Sequence, residues 1–187
     1  MTLLIGYSEL DPSTPSFVTA DAERIREKLA EIGVEFERWE TNGLITERDT
    51  PERILDAYGT WIHGLKRRCG YAAADVISMA RDHPDRAALR EKFLDEHTHA
   101  DDEVRFFVAG RGAFYLHVGG RVYVAVCERG DLIKVPSGTR HWFDMGPEPS
   151  FVAIRVFTNP AGWVAEYSGD AIARRFPRLE SGGLPVG

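Results

Sequence analysis

The sequence predicts an α+β protein that is mainly β, with helices gathered in its N-terminal half and a jelly-roll β-barrel behind them. Three observations carry this expectation. Apolar residues recur at helical spacing in the first half, short alternating stretches separated by Gly- and Pro-containing turns fill the second, and no helices alternate with those strands as an open parallel sheet would need. A chain of 187 residues suits one core. We therefore expect a single domain over residues 1–187, helical or mixed to about residue 92 and barrel from about 93 to 165.

In chain order, Ile25, Leu29 and Ile32 fall on one face of a helix running from about Ala20, and Gly33 suits the left-handed cap that ends it. Val34 to Trp39 alternates as a strand does. A second helix opens at Thr50-Pro51-Glu52-Arg53, where the threonine can cap free amides and proline at the first helical position sacrifices no needed donor. Ile54, Ala57, Trp61, Ile62 and Leu65 give that helix one apolar face as far as Gly70. A strand over Asp75 to Met79, the breaker Asp82-His83-Pro84 and a short helix through Ala87 and Leu89 toward Phe93 follow. Phe114, Leu116 and Val118 alternate before Gly119-Gly120, and Val122, Val124 and Val126 alternate after it, the form of a tight hairpin. Leu132 to Val135 and Phe151 to Phe157 supply further strands.

Composition excludes several classes of partner. Hydrophobic residues make up 43% and charged residues 28%, an ordinary globular balance. Lys and Arg number 23 against 29 Asp and Glu, a net charge of −6 with no basic block, so nucleic acid is not an expected partner. The apolar run after Met1 is too short for a signal peptide, and nowhere does one approach the ~18 residues of a membrane span. With Cys69 and Cys127 far apart and outside any C-x-x-C spacing, two reduced thiols in a soluble cytoplasmic protein are expected. No coiled-coil or interface stripe is present, so the expected state is a monomer.

The informative segment is Glu96-His97-Thr98-His99-Ala100-Asp101-Asp102-Glu103. Side chains two apart on a strand share a face, so both imidazoles can point at one ion, and Glu103, four beyond His99, can return to that face after a bend. His141 enters a new strand after the Pro136 and Gly138 turn and can complete a three-histidine, one-carboxylate set. Such ligands suit Fe(II), Ni(II), Co(II), Mn(II) or Zn(II), and on an octahedral ion they leave two adjacent positions for a bidentate oxygen ligand.

H-x-H, three residues, Glu103, six residues and Gly110, followed by G-x5-P-x-G-x2-H from Gly130 to His141, resemble the two cupin motifs. The sequence departs from them at Glu91, where glycine usually stands, and at Met145, where asparagine does. Neither is a ligand position. Within cupins, Glu96-His97-Thr98-His99, Asp102-Glu103-Val104-Arg105-Phe106 and His141-Trp142-Phe143-Asp144-Met145-Gly146 resemble the acireductone dioxygenase family, with likeness running from Phe36-Glu37-Arg38-Trp39 to Trp163.

The resemblance implies a jelly-roll enzyme of methionine salvage that oxidises 1,2-dihydroxy-3-keto-5-methylthiopentene with O2 as co-substrate. With Fe(II) the family yields formate and 4-methylthio-2-oxobutanoate; with Ni(II) it yields formate, carbon monoxide and 3-methylthiopropanoate. Identical ligands serve both metals. Arg105, two residues beyond Glu103 and on its face, is the candidate to stabilise a dianionic substrate, a place the resemblance also assigns it. Arg155 alternates in phase with Phe151, Ala153 and Phe157, which suits either a pocket role or a buried ion pair. Phe143 shares the face of His141, and the resemblance carries Phe93 and Trp163 to the wall around the methylthio tail. Glu96 and Asp102 flank the ligands as groups to orient an imidazole or move a proton. His63, His83 and His117 are expected to take no part. A ligand-binding cupin without activity and a metal-dependent sugar isomerase are the competing readings.

Overall fold

The computed structural model describes residues 1–41, 43–159 and 163–184. Its elements run β1 (Leu3–Ser8), β2 (Asp11–Thr19), α1 (Ala22–Ala30), β3 (Glu35–Arg38), α2 (Pro51–Ala57), α3 (Gly59–Cys69), β4 (Ala73–Met79) and α4 (Arg86–Phe93). The second half continues with β5 (His97–Thr98), β6 (Glu103–Val118), β7 (Arg121–Glu128), β8 (Asp131–Val135), β9 (Arg140–Asp144), β10 (Phe151–Phe157) and β11 (Glu166–Tyr167), closed by a 3-10 turn at Ile172–Arg175. The fold class is as the sequence predicts. Among the described residues no helix is long and apolar enough to cross a membrane.

The helix signals operate as read. Asp21 accepts from the Arg24 amide at 2.8 Å to cap α1, which buries Ile25 and Leu29, and Thr50 accepts from the Arg53 amide at 3.3 Å to cap α2. The helix expected from Pro51 to Gly70 is instead two, broken at Tyr58 with φ −114° and ψ 13°. Tyr58 turns its ring edge-on to Phe106, centroids 5.3 Å apart, and Gly59 follows with little helical preference, so packing overrides the continuous apolar pattern. As a result Ile54 and Leu65 are buried, whereas Ala57 and Trp61 of the expected apolar face are exposed.

The first nineteen residues form an antiparallel hairpin that the sequence reading left unassigned, with β1 docked on β7 from Leu3↔Val126 to Ser8↔Arg121. Pro12 and Pro15 lie in β2, which ends the sheet path, where a missing amide donor is tolerated.

Strand β6 organises the barrel because it belongs to two sheets. Its first half pairs with β8 and β10, its second half with β7 and β9. The change of sheet comes at Gly110, whose φ is +67° and where a Cβ would lie 1.8 Å from the Ser150 carbonyl oxygen, so only glycine fits. One sheet is β11-β5-β9-β6-β7-β1-β2; the other adds β3 to β8 and β4 to β10. Gly119 and Gly120, with φ +61° and +75°, close the predicted β6–β7 hairpin.

Between the sheets lies a core of Phe107, Phe114, Leu116, Ile133, Phe143, Phe151 and their neighbours. Both outer faces are also covered. Ile172, Phe176 and Leu179 of the C-terminal segment pack on Tyr7, Tyr115, Val122, Val124 and Trp142, and Ile54, Tyr58 and Leu65 of the helices pack on Phe106, Leu132 and Ile154. Val122, Val124 and Val126 therefore face away from the inner core, and it is Tyr123, Ala125 and Cys127 that enter it.

Candidate metal centre

The four residues expected to bind metal converge. His97 faces His141 across the β5–β9 pair, and the Leu116↔His141 register puts His141 on the inner face. A turn with the Thr139 amide on the Pro136 carbonyl at 3.2 Å delivers His141 into β9, while the Gly138 amide bonds the His99 carbonyl at 2.9 Å. Glu103 starts β6. Ligand atoms of His97, His99, Glu103 and His141 all lie within 4.8 Å of one another, and all four side chains are buried.

Hydrogen bonding sets the state of each imidazole. The Nδ1 atoms of His97, His99 and His141 lie 2.8, 3.0 and 2.8 Å from the carbonyl oxygens of Asp95, Val164 and Thr139. A carbonyl only accepts, so each Nδ1 carries the proton and each Nε2 turns a lone pair toward the centre. Glu103 Oε2 sits 3.0 Å from His99 Nε2 and 3.1 Å from His141 Nε2. Lone pairs facing a carboxylate at that range require a cation among them, either added protons or a metal ion.

The ionisation of the cluster agrees. Burial would raise the Glu103 carboxyl, but the Arg105 guanidinium and the histidine contacts outweigh it and hold Glu103 well below the usual carboxylate range. Burial, with His141 adding, pulls His97 from 6.5 down to about 4, so that it is neutral at neutral pH. His99 shifts upward against its burial because the Glu103 carboxylate beside it favours an added proton, the proton that a metal ion would replace. With added protons displaced, three imidazoles and one ionised carboxylate are the donor set of a divalent transition metal.

Arg105 lies just inside this cluster. It is 4% exposed, its Nε is 2.8 Å from Glu103 Oε1 without the alignment of a hydrogen bond, and its Nη1 has no partner. Its guanidinium carbon is 4.4 Å from the centre of the Phe143 ring, 5.1 Å from that of Phe114 and 5.9 Å from that of Trp163. Burial lowers its proton affinity and Glu103 opposes the change. A buried cation with spare donors beside a ligand cluster is arranged to receive an anion.

The remaining candidates divide. Trp163 stacks on His99 with centroids 5.8 Å apart and donates to the Asp102 carbonyl at 3.1 Å. Phe143 is buried on the inner face, and Phe93, partly buried at the end of α4, packs against the same core. Arg155 pairs with Asp75 at 2.8 and 2.6 Å, an ion pair that is partly exposed and not buried as one expectation had it, and lies 5.4 Å from the Trp163 ring centre.

Glu96 and Asp102 do not touch a ligand imidazole, contrary to expectation, because backbone carbonyls already occupy all three Nδ1 positions. Asp102 accepts from the Ser137 amide at 3.0 Å and lies 3.5 Å from Lys134. Glu96, alternating with His97, points to the outer face, where its Oε1 is 2.6 Å from His117 Nδ1. His117 is buried, against the expectation of an idle residue, and its Nε2 meets Glu9 at 2.8 Å. Its position out of phase with the inner face was visible in the sequence; the cover over that outer face was not. His63 is exposed in α3, and His83 accepts from the Asp85 amide at 3.2 Å, so neither joins the cluster.

Comparison with known proteins agrees with the geometry. Residues 7–165 match the model of the ARD/ARD' family. The chain is 55% identical over 180 residues to an acireductone dioxygenase of Pseudomonas paraeruginosa, an alignment covering 96% of this chain and 99% of that one. It is 53% identical over 181 residues to one from Marinobacter nauticus, covering 97% of each. A solved acireductone dioxygenase from Bacillus anthracis, with a cadmium ion in its active centre, superposes with TM-score 0.75 at 32% identity, covering 89% of this chain and 98% of that one.

Proposed function

Because the chain belongs to the ARD/ARD' family, and so to metal-dependent dioxygenases that act on a small-molecule acireductone, we propose that His97, His99, Glu103 and His141 hold its metal ion. The observation that carries this is the shared tautomer: three Nδ1 atoms tied to carbonyls leave three Nε2 lone pairs around one ionised carboxylate. The cadmium in the Bacillus anthracis relative supports a divalent ion at this place. Fe(II) or Ni(II) is the proposed occupant, with Co(II) and Mn(II) also suited to the ligands.

When bound, the metal would supply Lewis acidity toward the enediol oxygens. Arg105 binds the substrate's developing negative charge through its unpartnered Nη1, in a setting where Phe114, Phe143 and Trp163 exclude water. Phe93, Phe143 and Trp163 form the wall for the methylthio tail. Arg155, held by Asp75, adds a second positive charge on the Trp163 side. Asp102 holds the loop after His99 by accepting from Ser137, and Glu96 acts from the outer face.

The proposal treats residues 1–187 as one domain, supported by the pairing of β1, β3 and β4 with β7, β8 and β10. It takes the enzyme to be a cytoplasmic monomer, a location the two free cysteines favour.

The test is O2 consumption with a synthetic acireductone, using metal-stripped protein reloaded separately with Fe(II) and Ni(II). The keto acid and formate are expected from the iron form, carbon monoxide and 3-methylthiopropanoate from the nickel form. No O2 uptake by either fully loaded form would refute the reading.

A further inference from the structure

We infer that Glu9, His117 and Glu96 form a side-chain tether that holds β5 from behind and thereby sets the position of His97 toward the metal. The inference rests on the reading of His97 as a ligand. Backbone support for β5 is thin: the strand has two residues, pairs with β9 through His97↔His141 alone and otherwise with the exposed two-residue β11. One further bond, from the Ser168 amide to the Glu96 carbonyl at 3.0 Å, completes it.

The Glu96 side chain makes up the deficit. It is 1% exposed and reaches across the outer face to His117 Nδ1 at 2.6 Å. His117 is 5% exposed and stands on β6, flanked by Val122 of β7 on one side and Arg140 of β9 on the other, in one of the most firmly paired parts of the barrel. Its Nε2 meets Glu9 Oε2 at 2.8 Å, in the turn between β1 and β2. His117 lies between the two carboxylates, one on each ring nitrogen, so the three side chains form a linear brace and do not converge on one point as the ligand cluster does.

A buried polar chain of this kind contributes little net stability compared with apolar residues of the same volume. Its distinctive consequence here is geometric: it joins the weakly paired ligand strand to the strongly paired centre, with Glu96 and His97 adjacent and pointing to opposite faces. His117 and Glu9 are thus positioning residues for His97.

The test uses the full chain loaded with Co(II) alone, without substrate, reading the visible Co(II) spectrum and the rate of Co(II) release to a chelator. His117→Leu and Glu9→Leu are expected to release Co(II) roughly tenfold faster or more, the order seen when groups behind metal ligands are removed, with an altered spectrum. Glu9→Gln, which keeps an acceptor oxygen, should stay near the wild type. Ile54→Ala, in the helical cover of the other sheet, should lower Tm yet keep wild-type release and spectrum. Glu9 is partly exposed in a turn, so its variants test the tether even where His117→Leu fails to fold. Wild-type release and spectrum in Glu9→Leu, or equally fast release from Ile54→Ala, would overturn the inference while leaving the metal reading intact. A wild type that takes up no Co(II) would overturn both.

Discussion

The two faces of the β5–β9–β6 sheet carry buried polar side chains of the same kinds, yet one set is largely paired within the chain and the other is not. On the outer face, His117 has a carboxylate on each nitrogen. Asp144 accepts from Arg90 at 2.7 and 3.0 Å, from the Gly146 amide at 2.8 Å and from the Leu179 amide at 2.9 Å. On the inner face, each ligand histidine has one nitrogen satisfied by a carbonyl and one turned to the centre, and both Arg105 Nη1 and Glu103 Oε1 lack hydrogen-bond partners. Buried polar groups are normally paired. On the outer face only Glu96 Oε2 of these groups lacks a partner, whereas on the inner face the unpaired groups converge on one point; that convergence marks the place where something else must bind, and the pairing opposite marks structural bracing.

That contrast predicts different failures on the two faces. The largest effect is expected from His97→Ala or His141→Ala, which should lose metal and activity together while remaining folded, as read by elemental analysis and circular dichroism; full occupancy in both would break the assignment. Asp144→Ala should do the reverse. It leaves the partly buried Arg90 without its carboxylate, with only the Leu179 carbonyl still accepting from it, and urea unfolding should show a loss of about 3 kcal/mol with metal stoichiometry unchanged. Arg105→Ala should keep metal but lower the rate by roughly 10²-fold or more, and Arg105→Lys should not restore it, since lysine lacks the planar fork lying on Phe143; an unchanged rate would remove Arg105 from the site.

The smallest effect is one of pH on the metal-free protein. His97 has a folded pKa of about 4 against 6.5 for the free side chain, so between those values the unfolded chain binds the extra proton. Its contribution is complete above pH 6.5 and is lost as pH falls toward 4, with a slope of at most about 1.4 kcal/mol per pH unit. Metal-free His97→Asn should lack this component in its stability profile.

The same contrast separates what the sequence discloses from what it hides. The inner face is legible because its signals are local: His97, His99 and Glu103 share parity, Pro136 and Gly138 announce His141, and Gly119-Gly120 closes a hairpin. The outer face is not, since what covers it comes from far along the chain. Glu9 and the segment from Ile172 to Leu179 bury His117 and Trp142, and nothing near His117 signals that. Parity put His117 out of phase with the hairpin's apolar residues, but solvent is the default reading of an uncovered face, and Glu96, read as a partner of the ligand imidazoles, has the parity of the outer face. The break at Tyr58 escaped for a related reason, because it depends on the distant Phe106, and Pro12 and Pro15 disguised an edge strand.

The central claim is that the incomplete inner-face cluster is the metal centre, and X-ray absorption at the metal edge of Ni(II)-loaded protein tests it most directly. One nickel per chain is predicted, with nitrogen and oxygen neighbours and the outer-shell scattering of three imidazoles, falling to two in His141→Ala if any metal is retained. A wild-type spectrum without imidazole scattering, or one unchanged by His141→Ala, would contradict the account.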